Sequence, residues 1–266
     1  MKLTIEHTTH YKYDAAVRQS IQYLRLTPKS SDHQKVVNWQ LNMPGSISQT
    51  TDAYGNILHV MTIDEPHNDI CIKVKGEVEI LDDIEDHDTR LSPFVYLRPT
   101  HLTEADEAIK LFGDQFLSNG ASLESLTAMM KELLILMPYQ PGSTEVCDSA
   151  VVAFEKNKGV CQDHTHVFLA ICRSHNIPAR YVSGYLYTED VNHVASHAWA
   201  EVWLDGQWHT FDVTNGLTSP HLHIKLAIGL DYLDACPVRG MRTGGGMESM
   251  EAVAKVDKIS LSCGSQ

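Results

Sequence analysis

The chain has 266 residues, 43% hydrophobic and 21% charged, which suits a globular protein with one large domain or two modest ones. Its formal net charge of −13 repels phosphate backbones and argues against a nucleic-acid partner. The richest apolar run, residues 133–137, is far too short to cross a bilayer, and the opening MKLTIEHTTHYKYD lacks the apolar stretch of a secretory signal.

The first 80 or so positions predict strands. Val37, Trp39, Leu41 and Met43 alternate with polar neighbours, as do Ile72, Val74, Val78 and Ile80. That period of two belongs to half-buried strands, and the DAYGN of 52–56 is turn chemistry. The expectation is a β-sandwich-like N-terminal domain over 1–85. The acidic run from Asp82 to Asp88 marks the boundary and is expected to be a solvated linker. A second domain then covers 86–266.

From residue 103 the period becomes helical. Thr103 with Asp106 predicts a helix start, and Ser122 caps a second helix with Met129, Met130 and Met137 at core spacing. A third helix is expected between Asp148 and Gly159. Downstream, Gly244-Gly245-Gly246 lacks the Lys-Ser/Thr of a phosphate loop and predicts a flexible connection; Val253 to Leu261 predicts a closing strand.

Six cysteines are scattered without CxxC pairs. This spacing argues for reduced thiols and a cytoplasmic location. Cys161, in KGVCQDHTH, falls in the first turn of a predicted helix, where free N–H groups and the helix dipole favour a thiolate. Cys172, mid-helix, predicts a buried structural thiol. A base can be found by counting. Asp205-Gly206 is the preferred loop of a two-residue hairpin, so Leu204 faces Gln207 and Trp199 faces Asp212. His197 and Asp212 then share a sheet face as diagonal neighbours, roughly 7–8 Å apart at Cα. A carboxylate that orients an imidazole beside a thiol is the arrangement of nucleophilic catalysis.

These residues resemble the transglutaminase-like superfamily in its bacterial two-domain form. GVCQD (159–163) is similar to the family's nucleophile motif, SHAWAEVW (196–203) to its histidine strand and FDVTN (211–215) to its aspartate strand. YKYDAAVRQSIQYLRLTPK (11–29), DAYGN and YLRPT (96–100) resemble the region preceding the bacterial cores. The resemblance implies an α+β fold related to papain-like proteases, with helices packed on an antiparallel sheet. It also implies acyl transfer from, or hydrolysis of, an amide of a peptide or protein substrate. Val213 stands where relatives usually carry proline, and Leu230 where an arginine is common.

Gln162, Tyr139, Gln140 and Trp199 are candidates for oxyanion or substrate contacts, beside the backbone N–H of Cys161. No cofactor or metal is expected. His164 and His166 would point apart on a helix, and the HxH of His221 and His223 shows no acidic partner in sequence. Glu201 is expected as a cross-strand partner of Thr210. The competing reading is a catalytically silent peptide-binding module, whose signature would be a missing triad member. The oligomeric state stays open.

Overall fold

The computed structural model describes residues 1–81, 86–189 and 196–259. Its longest element is β1 (Lys2–Leu24), the central strand of a seven-stranded sheet. One edge of β1 pairs with β5 (His67–Ile80) along its first half and β4 (Ile57–Ile63) along its second. β2 (Gln34–Asn42) lies outside β5, and β3 (Ser46–Thr51) outside β4. The N-terminal region is therefore one curled sheet, shared between two halves by a single strand. Ile70, Ile72, Val74, Val78 and Ile80 are buried along β5 as their alternation predicts. Val37 is exposed instead, because a register shift between Val36 and Asn38 turns it outward. Trp39 lies opposite Gly76, where a Cβ would come within 2.2 Å of the indole.

The core begins after the 3₁₀ turn Pro93–Leu97 with α1 (Glu107–Leu117), α2 (Leu123–Leu136) and α3 (Ala150–Lys156). Asp106 alone caps α1, accepting from Ile109 N; Thr103 is buried and bonded to Arg173 rather than serving as a cap. Ser122 and Ser125 cap α2 reciprocally, and Met129, Met130 and Met137 are fully buried as packing. α4 (Cys161–Ser174) packs against the antiparallel sheet β8-β7-β6-β9, formed by β6 (Ala179–Leu186), β7 (Ser196–Leu204), β8 (Gln207–Phe211) and β9 (His223–Gly229). A short α5 (Tyr232–Ala235) follows.

The tail returns to the first sheet. β10 (Val238–Gly244) and β11 (Glu248–Lys258) both pair antiparallel with the free edge of β1. Gly244, which ends β10, and Gly245 and Gly246 after it take positive φ and let the chain turn towards β11. A division at residue 85 thus separates this tail from the sheet it completes. Ser260 and Leu261 of the expected closing strand lie outside the described residues.

Side-chain amides join the two sheets. Gln34 bonds both the N–H and the C=O of Lys225, and Asn56 does the same at Ile228, so both cover the outer edge of β9. Asp52 holds the 52–56 turn by accepting from Tyr54 N and Asn56 N. Asp86 is not a solvated linker residue: it bonds Arg180 and Lys225, which also hold the buried Glu201. Residues 82–85 of the acidic run lie outside the described residues.

Candidate active site

Val160 precedes α4 with extended backbone, and its N–H donates to the carboxylate of Asp163, 2.8 Å away. Thr144 donates to the same oxygen at 2.6 Å, tying the preceding loop to the helix start. Gly159 makes room for this, since a Cβ there would lie 2.6 Å from that of Asp163. Its C=O accepts from Gln140 N in a short parallel bridge centred on Tyr139. Cys161 is therefore held as the first helical residue, half-buried, with its N–H in the helix's unpaired first turn. Cys172 is fully buried, and burial pushes its thiol up to about 12.

The hairpin register is the one its loop predicts. Asp205 and Gly206 have φ of 52° and 87°, and every pair from Leu204↔Gln207 to Ala200↔Phe211 adds to 411. β8 stops at Phe211, and Asp212 closes a tight loop through two backbone bonds with Leu217. His197 and Asp212 meet: Nε2 donates to Oδ2 at 2.8 Å, both residues buried. Burial opposes charging His197, yet the Asp212 carboxylate, and after it the nearby Cys161 thiol, raise the imidazole well above its ordinary range. Burial likewise works against the Asp212 charge, and the two histidines hold that carboxyl below the usual range.

Two residues join the set that sequence reasoning missed. His223 on β9 donates from Nε2 to the same Asp212 oxygen at 3.0 Å, so this histidine does have an acidic partner. Asn215 Nδ2 donates there too, at 2.8 Å, closing over the carboxylate from the solvent side. His197 faces Gly184 on the intervening strand β6, which places no side chain between the two imidazoles. A Cβ at Gly184 would lie 2.8 Å from the Trp199 ring. His164 points the other way from His166, as expected: it bonds Met137 O and Thr214, bracing the loop that carries Asp212. His166 instead accepts from Tyr232 N.

The remaining candidates divide by place. Tyr139 is half exposed, and burial together with the nearby Cys161 pushes its phenol up. Gln140 is exposed beside it, whereas the Gln162 amide is engaged by Val146 O. Trp199 is 1% exposed and lies behind the imidazole, its ring 6.2 Å from that of His197 at 23°. Glu201 faces Thr210 in register, but its carboxylate turns to Arg180 and Lys225, both at 2.6 Å. Leu230 and Val213, the two departures from the family pattern, are buried packing residues.

His197, Asp212 and His223 offer two nitrogens and an oxygen within 4.8 Å of one another, the donor set of a divalent transition metal. The shared oxygen already receives three hydrogen bonds, so the same atoms are satisfied as a hydrogen-bonded cluster. A cavity of about 300 Å³ lies elsewhere, among Lys29, Tyr54, Asn56, Arg90, Arg180 and Lys225, and none of the three meeting residues lines it.

With this geometry in hand, the comparisons place the chain. Residues 3–79 match the bacterial transglutaminase-like N-terminal region and residues 114–213 the transglutaminase-like superfamily core. The chain belongs to that superfamily, in its bacterial two-part form. It is 28% identical to the uncharacterized protein ML0607 of Mycobacterium leprae, covering 97% of this chain and 99% of the other. It is also 28% identical to the uncharacterized protein Rv2569c of Mycobacterium tuberculosis, over 89% and 86% of the two chains. A candidate cysteine protease from Cytophaga hutchinsonii shares the fold with a TM-score of 0.80 and 21% identity, over 98% of this chain and 92% of that one. Among the described residues, no helix is long and apolar enough to cross a membrane.

Proposed function

We propose that the protein is a cysteine-nucleophile enzyme that opens an amide of a peptide or protein substrate through an acyl-thioester, and that it works where thiols stay reduced. The observation that carries this reading is a buried His197 tethered by Asp212, with Cys161, the first residue of α4, close enough to act on its imidazole. Because Nε2 of His197 is committed to Asp212, Nδ1 is the nitrogen that takes the thiol proton. The Cys161 thiolate attacks the amide carbonyl, and the helix-start N–H of Cys161 supports the oxyanion. The imidazolium then gives its proton to the leaving amine, leaving the acyl group on sulfur. Water or a second amine, deprotonated by His197, resolves the thioester. Asp212 keeps the imidazole in one tautomer and steadies its charged form.

Incubation with a peptide library, followed by mass analysis, tests the reading and separates its outcomes. A product heavier by one mass unit reports deamidation, cleavage reports proteolysis, and ligation reports cross-linking. The expected result is one of these with the native chain and none with Cys161→Ala. Turnover that survives in Cys161→Ala overturns the proposal; peptide binding without turnover in either chain favours a silent module.

A further inference from the structure

We propose that the outer edge of β11 is a self-complementary dimer surface, at which two copies of the chain pair antiparallel and fuse their first sheets. The inference does not depend on the catalytic reading. β11 is an eleven-residue strand whose only strand partner among the described residues is β1, and nearly all of it is exposed. Met250 and Val253 are 56% and 57% exposed. Such an edge is a template for strand addition unless its side chains forbid it.

The backbone fixes which registers are open. Ile259 N donates to Lys2 O and Met247 O accepts from Asp14 N, in the same unbroken register that pairs Leu3 with Lys258 and Tyr13 with Glu248. The odd-numbered residues of β11 therefore bond β1, and the even-numbered ones turn their N–H and C=O outward. Two such edges can pair only even with even. Centring the pair on Val253 sets Glu251 against Lys255 and Glu248 against Lys258, each twice by symmetry. It also sets Met250 beside Val256, Ala252 beside Ala254, and Val253 against its own copy. The neighbouring registers are worse. A centre on Glu251 or Lys255 brings like charges together, one on Ala254 opposes Glu251 with Asp257, and one on Ala252 matches no charges. Lysines on an edge strand ordinarily prevent pairing. Lys255 also pairs with Asp257 on its own strand at 2.8 Å, but only the register centred on Val253 gives both lysines an opposite charge across the axis, so the charges select a partner, and that partner is a second copy. The contact is isologous and closed, as a two-fold dimer requires.

Sedimentation or light scattering of the full chain should give twice 29.7 kDa at high protein concentration. Val253→Cys should form an intermolecular disulfide that neither the native chain nor Ser249→Cys forms, because only position 253 meets itself across the axis. Lys255→Glu should weaken dimerisation about tenfold or more, and adding Glu251→Lys should restore it. Ala252→Pro, whose lost N–H faces away from β1, should abolish the dimer while leaving the monomer's unfolding midpoint in place. A chain that stays monomeric throughout, or a dimer that Val253→Cys does not cross-link, overturns the proposal.

Discussion

Three donors converge on one oxygen of Asp212: His197 Nε2, His223 Nε2 and Asn215 Nδ2. A carboxylate so held cannot swing, and the imidazole it holds is fixed in place. Asp212→Asn should keep the fold and slow acyl-enzyme formation by about 10³- to 10⁴-fold, as a wrong tautomer does in related triads; a stopped-flow burst with an activated ester measures it. His223→Phe keeps a ring against Trp199 but removes one of the three donors. Acylation should slow about tenfold with substrate KM unchanged, since a hydrogen bond to a charged group is worth about 1.5–3 kcal/mol. An unchanged rate would make His223 a packing residue only. The His197–Asp212 pair was legible because the hairpin register runs to within one residue of Asp212, although Asp212 bridges Leu217 and not Trp199 as the count alone predicts. His223 was not, because it reaches Asp212 across β6, whose pairing with β9 shifts register between Ser183 and Gly184. No count along the sequence predicts that shift.

At the level of elements, the Asp205-Gly206 loop fixes the β7–β8 register, and α4 presents Cys161 at the end of the sheet that carries His197. Behind that sheet, Arg180 and Lys225 share Glu201 and Asp86 in a network that joins β6, β7, β9 and the chain leaving the first sheet. Burial alone would raise both carboxyl groups, and the two cations hold them low. Glu201→Gln leaves the buried Arg180 and the partly buried Lys225 to one carboxylate and should cost about 3 kcal/mol in a urea titration. Sequence alternation placed Glu201 correctly opposite Thr210, yet could not show its ion partners. Arg180 lies on another strand, and Lys225 on a third. The helix starts were legible at Ser122 and near Asp106, where side chains cap locally. Thr103 misled because its hydroxyl serves the distant Arg173.

At the level of the molecule, strands from both ends of the chain build one sheet. β11 pairs with the first residues of β1, a contact between positions some 250 apart that no local pattern announces. The N-terminal sheet in turn covers the edge of β9 through Gln34 and Asn56, and packs over Tyr185, Ile224 and Leu226. His7 lies in this interface, bonded to Tyr185 and Thr9, and burial lowers its imidazole from 6.5 to about 4. With the folded value depressed, the unfolded chain takes up the proton first as pH falls. His7 therefore contributes in full above pH 6.5, and that contribution, on the order of 3 kcal/mol, is lost as pH drops towards 4. The urea midpoint should fall across that window, and His7→Gln should flatten the slope. A midpoint as steep in the variant as in the native chain would assign the acid sensitivity elsewhere.

The central claim is that His197 activates Cys161, and the chain carries its own reference thiol in the exposed Cys147. Iodoacetamide labelling at about pH 6, where an ordinary thiol is under 1% ionised, can be followed cysteine by cysteine by peptide mass mapping. The account predicts that half-buried Cys161 labels faster than Cys147 despite its lower exposure, and that His197→Ala removes this lead. Equal or slower labelling of Cys161, or a lead that persists without His197, would contradict it.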